Sequence, residues 1–455
     1  MKAASAFAIP GQAVIGRHGP VTVTGWSGQP GNHAAAGEPG LPRLLRDDPA
    51  GPDLSAHDRT FGPASFRSAA LISQAGAAGL TGRGGACFPV ARKLAAVAAA
   101  GGGAVAVANG AEGEPASSKD AALLWYSPHL VLDGLQLAAE AAGAHRAVLY
   151  VQANGPGGPD LTGRLRTALY QRASAGIDRI DIQLAEAPPR FLAGEESALV
   201  ARLSGAAARP GYKQPRVFER GVGGRPTLVQ NVETLAHLAM IARYGAAWFR
   251  GVGTPGEPGS MLCTVRDPDG RMRIVEAAIG TPLRHLVWLG DGVQAVLVGG
   301  YHSGWLSVAQ ARQLTLSNAD LRPAGVIAGP GILVALPTAY CGLAETAAVA
   351  RYLALESAGQ CGPCFNGLPA IAAASAAVAR PRPAERELAN LRRWAGLVAG
   401  RGACHHPDGT VRFIASALVA FGAEIAEHGR GRCTGTQAGQ FLPVPAAPLT
   451  ESDWS

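Results

Sequence analysis

Three cysteines have a spacing that suits a metal ion or an iron–sulfur cluster. Cys361 and Cys364 form a Cys-x-x-Cys pair, and Cys404 follows forty residues after the second thiol. Two thiolates three residues apart can reach one centre, which is why this spacing recurs in zinc and iron–sulfur sites. A redox disulfide or an inert pair is the alternative interpretation. Because the chain has only seven cysteines, we favour a metal or a cluster.

The fourth ligand of such a site is not evident from the sequence. Ala358 stands three residues before Cys361, where a further thiolate is expected, and an alanine side chain cannot ligate a metal. His405 and His406 follow Cys404 directly and could supply a nitrogen. The remaining cysteines are interpreted as buried or incidental: Cys87, Cys263, Cys341 and Cys433.

A glycine-rich loop over residues 79–89 could bind a phosphate group. Its glycines would let backbone N–H groups approach the phosphate closely, and the helix predicted after the loop would point its positive end at the charge. Lys93, in the first turns of that helix, could add a cation. An ordinary glycine-rich turn is the alternative, because short glycine motifs also occur by chance. The glycines concerned are Gly82, Gly84 and Gly85.

Three other segments carry polar side chains at places suited to a ligand. Residues 109–115 follow a predicted buried strand, and parallel sheets bind ligands at the carboxyl ends of their strands. The other two segments begin helices, so their side chains either stabilise the helix ends or face a cofactor. The side chains are Asn109, Glu112 and Glu114 in the first segment, Glu195 and Glu196 in the second, and Asn231 in the third.

The elements that must position these residues change in character along the chain. Apolar runs at 104–108, 147–151 and 179–184 alternate with helical patterns, which predicts a mostly parallel α/β sheet. A hairpin pattern then predicts a β-grasp-like unit, and a long alanine-rich helical region carries the cysteines. We predict a poorly ordered extension over residues 1–60, an α/β domain over 61–250, a β-grasp-like domain over 251–335, a helical domain over 336–433 and a disordered tail over 434–455.

Composition narrows the class of protein. With 455 residues, 47% hydrophobic and 16% charged, the chain is long and apolar enough for several globular domains. An odd number of cysteines argues against the disulfide framework of a secreted protein. The net charge of +7 is small and scattered, so we expect no nucleic-acid partner. Lacking a long uninterrupted apolar segment or a convincing signal peptide, the chain is expected in the cytoplasm, peripheral to a membrane at most.

Taken in chain order, these motifs resemble the 51-kDa flavoprotein, or F subunit, of NADH–quinone oxidoreductase (complex I) and the related diaphorase subunits of hydrogenases and formate dehydrogenases. Residues 82–89 resemble the family's flavin loop, with Cys87 in place of a glycine. Residues 109–115 resemble its Asn-Ala-Asp-Glu-Ser-Glu-Pro loop, and residues 194–199 its Gly-Glu-Glu-Thr-Ala-Leu helix. Residues 224–234 match its next segment, and the cysteine run resembles its Glu-Ser-Cys-Gly-x-Cys-x-Pro-Cys motif. The resemblance covers about residues 65–427.

The resemblance implies a divergent oxidoreductase that passes electrons between NAD(P)H and a one-electron acceptor such as ferredoxin. It implies an α/β FMN-binding domain, a small β-grasp-like domain of the SLBB type and a C-terminal α-helical bundle that holds a [4Fe–4S] or [3Fe–4S] cluster. Ferredoxin-like or other redox subunits would be partners. Glu112 and Glu195 would have catalytic roles, and the cluster ligands would be Cys361, Cys364 and Cys404. The cofactor-binding residues would be Gly82, Arg83, Gly84, Gly85, Phe88, Lys93, Asn109, Glu112, Glu114, Glu195, Glu196, Asn231 and Thr234.

Several positions depart from the family pattern. Ala358 stands in place of the first cluster cysteine, so Ser357 or His405 would have to supply any fourth protein ligand. Ala111 replaces an acidic residue of the flavin loop. Phe88 matches one of the aromatic residues that stack on nicotinamide, while Ala96 and Arg216 stand at two others. A cationic Arg216 would favour the additional phosphate of NADPH.

These departures leave two other functions open. A cofactor-poor relative could serve as a scaffold for a redox partner, since it needs neither a complete cluster nor a nicotinamide site. A zinc-stabilised binding subunit could instead use a site made of three cysteines and a histidine: Cys361, Cys364, Cys404 and His405.

Overall fold

The computed structural model describes residues 14–16, 19–24, 41–45, 53–63, 70–101, 103–152, 160–212, 214–383, 385–445 and 450–454. Its strands form two sheets. The strands are β1 Val14–Gly16, β2 Gly19–Thr24, β3 Ala104–Gly110, β4 Ala144–Gln152, β5 Ile182–Ala187, β6 Thr227–Asn231, β7 Ser260–Arg266, β8 Met272–Ala278, β9 Val293–Val298, β10 Gly304–Ser307 and β11 Ile332–Pro337.

The helices surround the first sheet and then dominate the C-terminal part of the chain. The α-helices are α1 Leu54–Phe61, α2 Leu71–Ala78, α3 Val90–Ala100, α4 Lys119–Tyr126, α5 Pro128–Ala141, α6 Leu161–Ala175, α7 Glu196–Leu203, α8 Val232–Phe249, α9 Leu283–Leu286, α10 Val308–Ala311, α11 Asn318–Leu321, α12 Gly342–Leu355, α13 Leu368–Val378, α14 Glu385–Val398, α15 His406–Ala420 and α16 Gly422–Gly429.

The first sheet is parallel throughout and has the strand order β5-β4-β3-β6. Alternate residues of β3 face two different cores: Ala106 and Ala108 belong to one cluster of buried side chains, and Val105 and Val107 to another. A strand buried on both faces is a continuous apolar run, which is the pattern seen in the sequence. The predicted α/β domain with a parallel sheet is confirmed.

The second sheet is mixed and has the strand order β1-β2-β8-β7-β11-β9-β10. β7 and β8 form the antiparallel hairpin that the sequence predicts around residues 267–270. The described helices after β11 form a helical C-terminal region, so the prediction for residues 339–427 is confirmed at this level. No single described helix is long and apolar enough to cross a membrane, and the one pair that reaches the length together, α15 and α16, is bent by 71°.

The prediction of a poorly ordered extension over residues 1–60 is wrong for the described parts of that range. β2 pairs in parallel with β8, and α1 covers Leu54–Phe61. Arg43 and Leu44 donate their backbone N–H groups to the buried carboxylate of Glu276 at 2.7 and 2.8 Å. Local sequence does not indicate this contact because the acceptor lies more than 200 positions away. Residues 1–13, 17–18, 25–40 and 46–52 lie outside the described residues.

The prediction of a disordered tail over residues 434–455 is also wrong for its described parts. The backbone N–H groups of Phe441 and Leu442 donate to the buried carboxylate of Glu345 at 2.8 and 2.9 Å, and both side chains are buried. Tyr301 donates its hydroxyl to the Pro443 carbonyl at 2.9 Å. A tail rich in glycine and proline looks disordered in sequence, but here its backbone is held by side chains of the folded core.

Candidate functional site

A cavity of about 730 Å³ lies where β3 and β6 of the parallel sheet end. The glycine loop, the acidic loop after β3 and the segment before α7 all contribute to its wall. Loops of the second sheet and the first turns of α15 close the other side. Predicted residues in its lining are Gly84, Gly85, Asn109, Glu112, Glu114, Glu195 and Asn231.

The glycine loop is anchored by an arginine that points away from the cavity. Gly82 donates its N–H to the Phe88 carbonyl at 2.9 Å and closes the loop. Arg83 is buried, and its guanidinium donates to the Ser260 carbonyl at 3.0 Å and to the hydroxyl of Thr81 at 2.9 Å. Burial lowers the pKa of Arg83. Gly85 has a φ of 106°, a conformation that favours glycine.

Two glycines allow the loops around the cavity to touch. A Cβ on Gly113 would lie 2.3 Å from the Phe191 carbonyl oxygen, and one on Gly194 would lie 2.6 Å from the Ala111 carbonyl oxygen. Asn109 adds a hydrogen bond from its side-chain amide to the Gly194 carbonyl at 2.8 Å. The acidic loop and the segment before α7 therefore form one wall, and side chains at either glycine would separate them.

The carboxylates of Glu112 and Glu195 hold helix N-termini at this wall. Glu112 accepts the backbone N–H groups of Asp120 and Ala121 at 3.2 and 3.1 Å, in the first turn of α4. Glu195 accepts those of Ser197 and Ala198 at 2.9 and 3.1 Å and caps α7. Both interactions satisfy N–H groups that a helix end leaves open, so the structural interpretation of these acids holds alongside their place in the cavity lining.

Glu114 differs from its neighbours because part of its carboxyl group is unpartnered. Tyr301 donates its backbone N–H to Oε2 at 3.1 Å, whereas the buried Oε1 has no hydrogen-bond partner among the described residues. Burial raises the pKa of Glu114 to about 8. The group is therefore mostly protonated at neutral pH and can offer a hydrogen bond to a molecule in the cavity.

Lys93 and Glu196 form an ion pair with each other. The Lys93 ammonium lies 2.6 Å from a carboxylate oxygen of Glu196, and the pair joins α3 to α7 beside the glycine loop. Neither residue is in the cavity lining. Asn231 does lie in it, where its Oδ1 caps α8 by accepting the Glu233 N–H at 3.0 Å and its Nδ2 donates to Asp120 at 2.7 Å.

The three predicted metal-ligating cysteines converge in the helical region. Cys364 and Cys404 are buried, and Cys361 is half-buried. Burial raises the pKa of Cys364 to about 12, the neighbouring thiols of Cys361 and Cys404 raise it further, and a hydrogen bond with Ser357 opposes this. The three sulfurs therefore share one site in the described structure, with the Ser357 hydroxyl beside it and Ala358 offering no ligand.

The cysteine run is tied to the cavity wall through its first residue. Glu356 is buried, accepts the Phe191 backbone N–H at 2.9 Å and pairs with Arg190 at 3.2 Å. Phe191 lines the cavity. At the other end of the site, His405 and His406 follow Cys404 and also line the cavity. The cysteines and the cavity are thus built on shared segments.

Comparisons with known proteins agree with this arrangement. A model of the Nuo51 FMN-binding domain matches residues 75–240, and a model of the NADH-ubiquinone oxidoreductase-F iron-sulfur binding region matches residues 341–428, together more than half of the chain. The chain belongs to the family of NADH-quinone oxidoreductase F subunits, as a divergent member. The resemblance seen in the sequence is confirmed, and neither the cofactor-poor scaffold nor the zinc-stabilised binding subunit is favoured.

The relatives cover most of the chain at moderate identity. The second of two numbered F subunits of NADH-quinone oxidoreductase in Rhizobium meliloti (strain 1021) is 28% identical over 415 residues, which are 85% of this chain and 97% of the relative. The F subunit of Mycobacterium tuberculosis (strain ATCC 25618 / H37Rv) is 28% identical over 85% of this chain and 92% of its own length. A crystal structure of an NAD⁺-reducing [NiFe]-hydrogenase in the H₂-reduced state aligns with a TM-score of 0.73 and 28% identity, covering 80% of this chain and 63% of that chain.

Other members of the predicted set stand outside the cavity lining of this family member. Gly82, Arg83 and Thr234 shape the loop from behind: the buried Thr234 hydroxyl accepts the Arg83 backbone N–H at 2.9 Å. Phe88 is 49% exposed beside the glycine loop, with an aromatic face available to a further ligand. Arg216 is exposed and does not line the cavity, and its backbone N–H donates to Glu219 at 2.8 Å.

A buried charge network under the cavity was missed in the sequence. Lys119 donates to Asp120 and to Glu233, each at 2.7 Å. Burial alone would favour a neutral Glu233, but Lys119 and His237 hold its pKa down at about 2. Burial raises the pKa of Asp120 to about 6 against the attraction of Lys119. Charged residues inside otherwise apolar helices were the available signal, since such groups are buried only when paired.

A pair of histidines at the cavity was also missed. His406 Nε2 donates to the Leu353 carbonyl at 2.8 Å, so its Nδ1 must accept the hydrogen that His302 Nε2 donates at 2.9 Å. Burial lowers the pKa of His406 to about 4 and that of His302 well below its usual value. Both rings are therefore neutral at pH 7. Their hydrogen bonds join β9–β10, α12 and α15 between the cavity and Cys404.

Proposed function

We propose that this protein is an FMN- and iron–sulfur-dependent oxidoreductase that passes electrons between NAD(P)H and a one-electron acceptor such as ferredoxin. One observation carries the proposal: segments that line a cavity suited to a flavin also carry the three converging cysteines. The Phe191 backbone links the cavity wall to Glu356 of the cysteine run, and His405 and His406 link it to Cys404. Electrons leaving the cavity would therefore have a short route to the thiols.

The described residues fit FMN. A cavity of about 730 Å³ is within the usual range for small-molecule sites. Gly84 and Gly85 expose backbone in its wall, while Arg322 and Arg412 place two cationic side chains there. The unpartnered Oε1 of Glu114 is a buried polar atom that still requires a hydrogen-bond partner. Polar atoms of these kinds match a ligand that combines a phosphate with a polar ring.

When bound, FMN would accept electrons as a pair from a nicotinamide and release them singly, which neither a nicotinamide nor an iron–sulfur cluster can do. The protein's task is to orient and tune it. We propose that Glu112 and Glu195 place two helix N-termini at the ring, that Asn109 and Asn231 orient it, and that Lys93 supports the phosphate end. The Lys93–Glu196 ion pair would then fix the lysine between α3 and α7.

The cysteine site fits an iron–sulfur cluster with three thiolate ligands. Cys361, Cys364 and Cys404 supply sulfur, and Ser357, which hydrogen-bonds to Cys364, is the nearest candidate for an oxygen ligand at the corner left by Ala358. A [3Fe–4S] cluster needs no fourth ligand, whereas a [4Fe–4S] cluster would use the serine or a solvent molecule. We assign this helical region as the iron–sulfur bundle and the second sheet as a β-grasp-like domain of the SLBB type.

Redox subunits are the proposed partners. The relatives named above are subunits of NADH-quinone oxidoreductases or part of an NAD⁺-reducing hydrogenase. A one-electron carrier must approach the cysteine site closely enough to exchange electrons. We therefore propose a ferredoxin-like protein or a cluster-bearing subunit as the acceptor.

Cofactor content of the anaerobically purified full chain tests the proposal. We expect about one FMN and three to four irons per chain, with bleaching of the flavin absorbance on addition of NADH or NADPH. Gly113→Ala should remove most of the flavin because its Cβ would lie 2.3 Å from the Phe191 oxygen, while Gly256→Ala, whose Cβ meets open space, is the matched control. Protein that binds no flavin after incubation with FMN would overturn the proposal.

Nucleotide preference can be measured on the same protein. Arg216 stands where the family has a stacking aromatic residue, and we propose that its charge favours NADPH. Arg216→Phe should shift the ratio of NADH to NADPH turnover toward NADH. An unchanged ratio would remove Arg216 from the nucleotide site.

A further inference from the structure

A second group of metal-binding side chains lies at the base of the C-terminal tail, apart from the three predicted cluster ligands. Cys341 directly precedes α12, Glu424 and His428 are one turn apart on α16, and Cys433 follows that helix. One ligand atom from each of the four lies within 4.8 Å of all the others. From the sequence alone, both cysteines were predicted to be incidental.

The distances approach those of a tetrahedral site. Cys341 Sγ lies 3.6 Å from His428 Nε2 and 3.9 Å from Glu424 Oε1, and the last two atoms are 2.9 Å apart. In a tetrahedral zinc site with usual bond lengths, neighbouring ligand atoms are roughly 3.3 to 3.6 Å apart. Shifts of a few tenths of an ångström would therefore place all three donors on one ion.

The surrounding backbone holds these donors in place. Glu424 accepts hydrogen bonds from the hydroxyl and, at 3.0 Å, the N–H of Thr434, which orients its carboxylate. A Cβ on Gly435 would lie 2.7 Å from the Cys341 backbone nitrogen, so the tail crosses directly over Cys341. The N–H groups of Thr436 and Gln437 both donate to the Ala339 carbonyl at 2.8 Å. A carboxylate held by a hydroxyl is a common outer-shell arrangement at metal sites.

We propose that Cys341, Glu424, His428 and Cys433 bind one zinc ion that fastens the C-terminal tail to α12 and α16. Two sulfurs, one nitrogen and one oxygen are donors that zinc accepts together, and four protein ligands make a closed, structural site. The iron–sulfur model ends at residue 428 and leaves Cys433 outside it. Zinc binding releases the thiol protons, so the ion would replace weak S–H contacts by metal–sulfur bonds.

Metal analysis of the full chain tests this proposal independently of flavin and iron. We expect about one zinc per chain in the purified protein, and cobalt(II) exchanged into it should give the intense visible bands of a tetrahedral thiolate site. The double variant His428→Ala, Cys433→Ser should lose the zinc and keep its iron. Cys263→Ser, which alters a buried cysteine outside both groups, is the matched control and should lose neither metal.

Cobalt exchange keeps the test decisive even if the double variant folds poorly, because it uses the unaltered protein. Zinc below about a tenth of an equivalent after growth with zinc, together with no tetrahedral cobalt spectrum, would overturn the proposal. A Cys341–Cys433 disulfide in the purified protein would overturn it as well. So would zinc that remains in the folded double variant. None of these results depends on whether the protein binds FMN or reduces an acceptor.

Discussion

Two groups of cysteines in the C-terminal region differ in how far their ligands are spread along the chain. Cys361 and Cys364 lie on one turn, so their spacing alone points to a shared metal centre. Cys341 and Cys433 come together only because the tail after α16 returns to the start of α12. The first group is visible in the sequence and the second is not. A spacing rule therefore detects sites made within a turn and misses those made by distant segments.

The largest expected effect comes from removing one thiol of the first group. Cys364→Ser should lower the iron content to less than about a tenth, because a buried cluster held by three thiolates has none to spare. Electron transfer to a one-electron acceptor should fall with the iron, while zinc stays at one equivalent. Iron, zinc and acceptor reduction are measured on the same preparation.

The reciprocal variant completes this experiment. Cys433→Ser should reduce zinc and leave iron unchanged, since Cys433 is exposed and lies outside the first group. If either single variant removed both metals, the two groups would be one cooperative unit, and the comparison between them would fail.

The next effect concerns the second anchor of the tail. Glu345→Gln replaces a carboxylate oxygen that accepts a buried backbone N–H by an amide that donates, which should cost about 1–3 kcal/mol in the free energy of unfolding. Urea unfolding measures it, and proteolysis within residues 434–445 shows whether the tail is the part released. Glu186→Gln, at an exposed ion pair, should change stability by less than about 0.5 kcal/mol. Equal losses in both variants would show that Glu345 does not anchor the tail.

What could be predicted from sequence divides along the same line. The parallel sheet, the hairpin of β7 and β8 and the break between α4 and α5 at Pro128 follow from local periodicity and proline chemistry, and the structure confirms them. The loops around the cavity were found because glycines and acids cluster locally.

The rest depended on contacts between distant positions. Glu276 orders Arg43 and Leu44, Glu345 orders Phe441 and Leu442, and His302 meets His406. Each of these buried polar groups lies more than 90 positions from its partner, so neither end carries a signal in its own segment. Segments rich in glycine and proline were predicted to be disordered because their own side chains offer little to bury.

A smaller effect separates the cavity from the tail by pH. Burial raises the pKa of Glu114 from 4.5 to about 8, so the folded protein holds this proton more tightly than the unfolded chain does. The stability due to the protonated group is complete below about pH 4.5 and declines as the pH rises through about 8. In Glu114→Gln this decline is absent.

The measurement is the difference in melting temperature between Glu114→Gln and the unaltered protein from pH 5 to pH 9. Other titrating groups largely cancel in that difference. We expect it to move in favour of the variant as the pH rises, whereas Glu345→Gln should show less dependence over the same range, because Glu345 accepts two backbone hydrogen bonds that favour its charged form. A difference that is flat in pH would mean that Glu114 is ionised at neutral pH in the folded protein.

The smallest effect tests whether the first group can be made to match the pattern of its family. Ala358→Cys places a thiol where the sequence expects the missing ligand, and it should add about one iron per chain if the site otherwise holds three. Ser357→Ala removes the hydroxyl beside Cys364 and tests the serine as the oxygen ligand. Electron paramagnetic resonance of the reduced and oxidised protein distinguishes three-iron from four-iron clusters in both variants. A cluster already containing four irons whose spectrum does not change in Ser357→Ala would assign the fourth position to solvent, and the first group would then be complete without a ligand from residues 357–358.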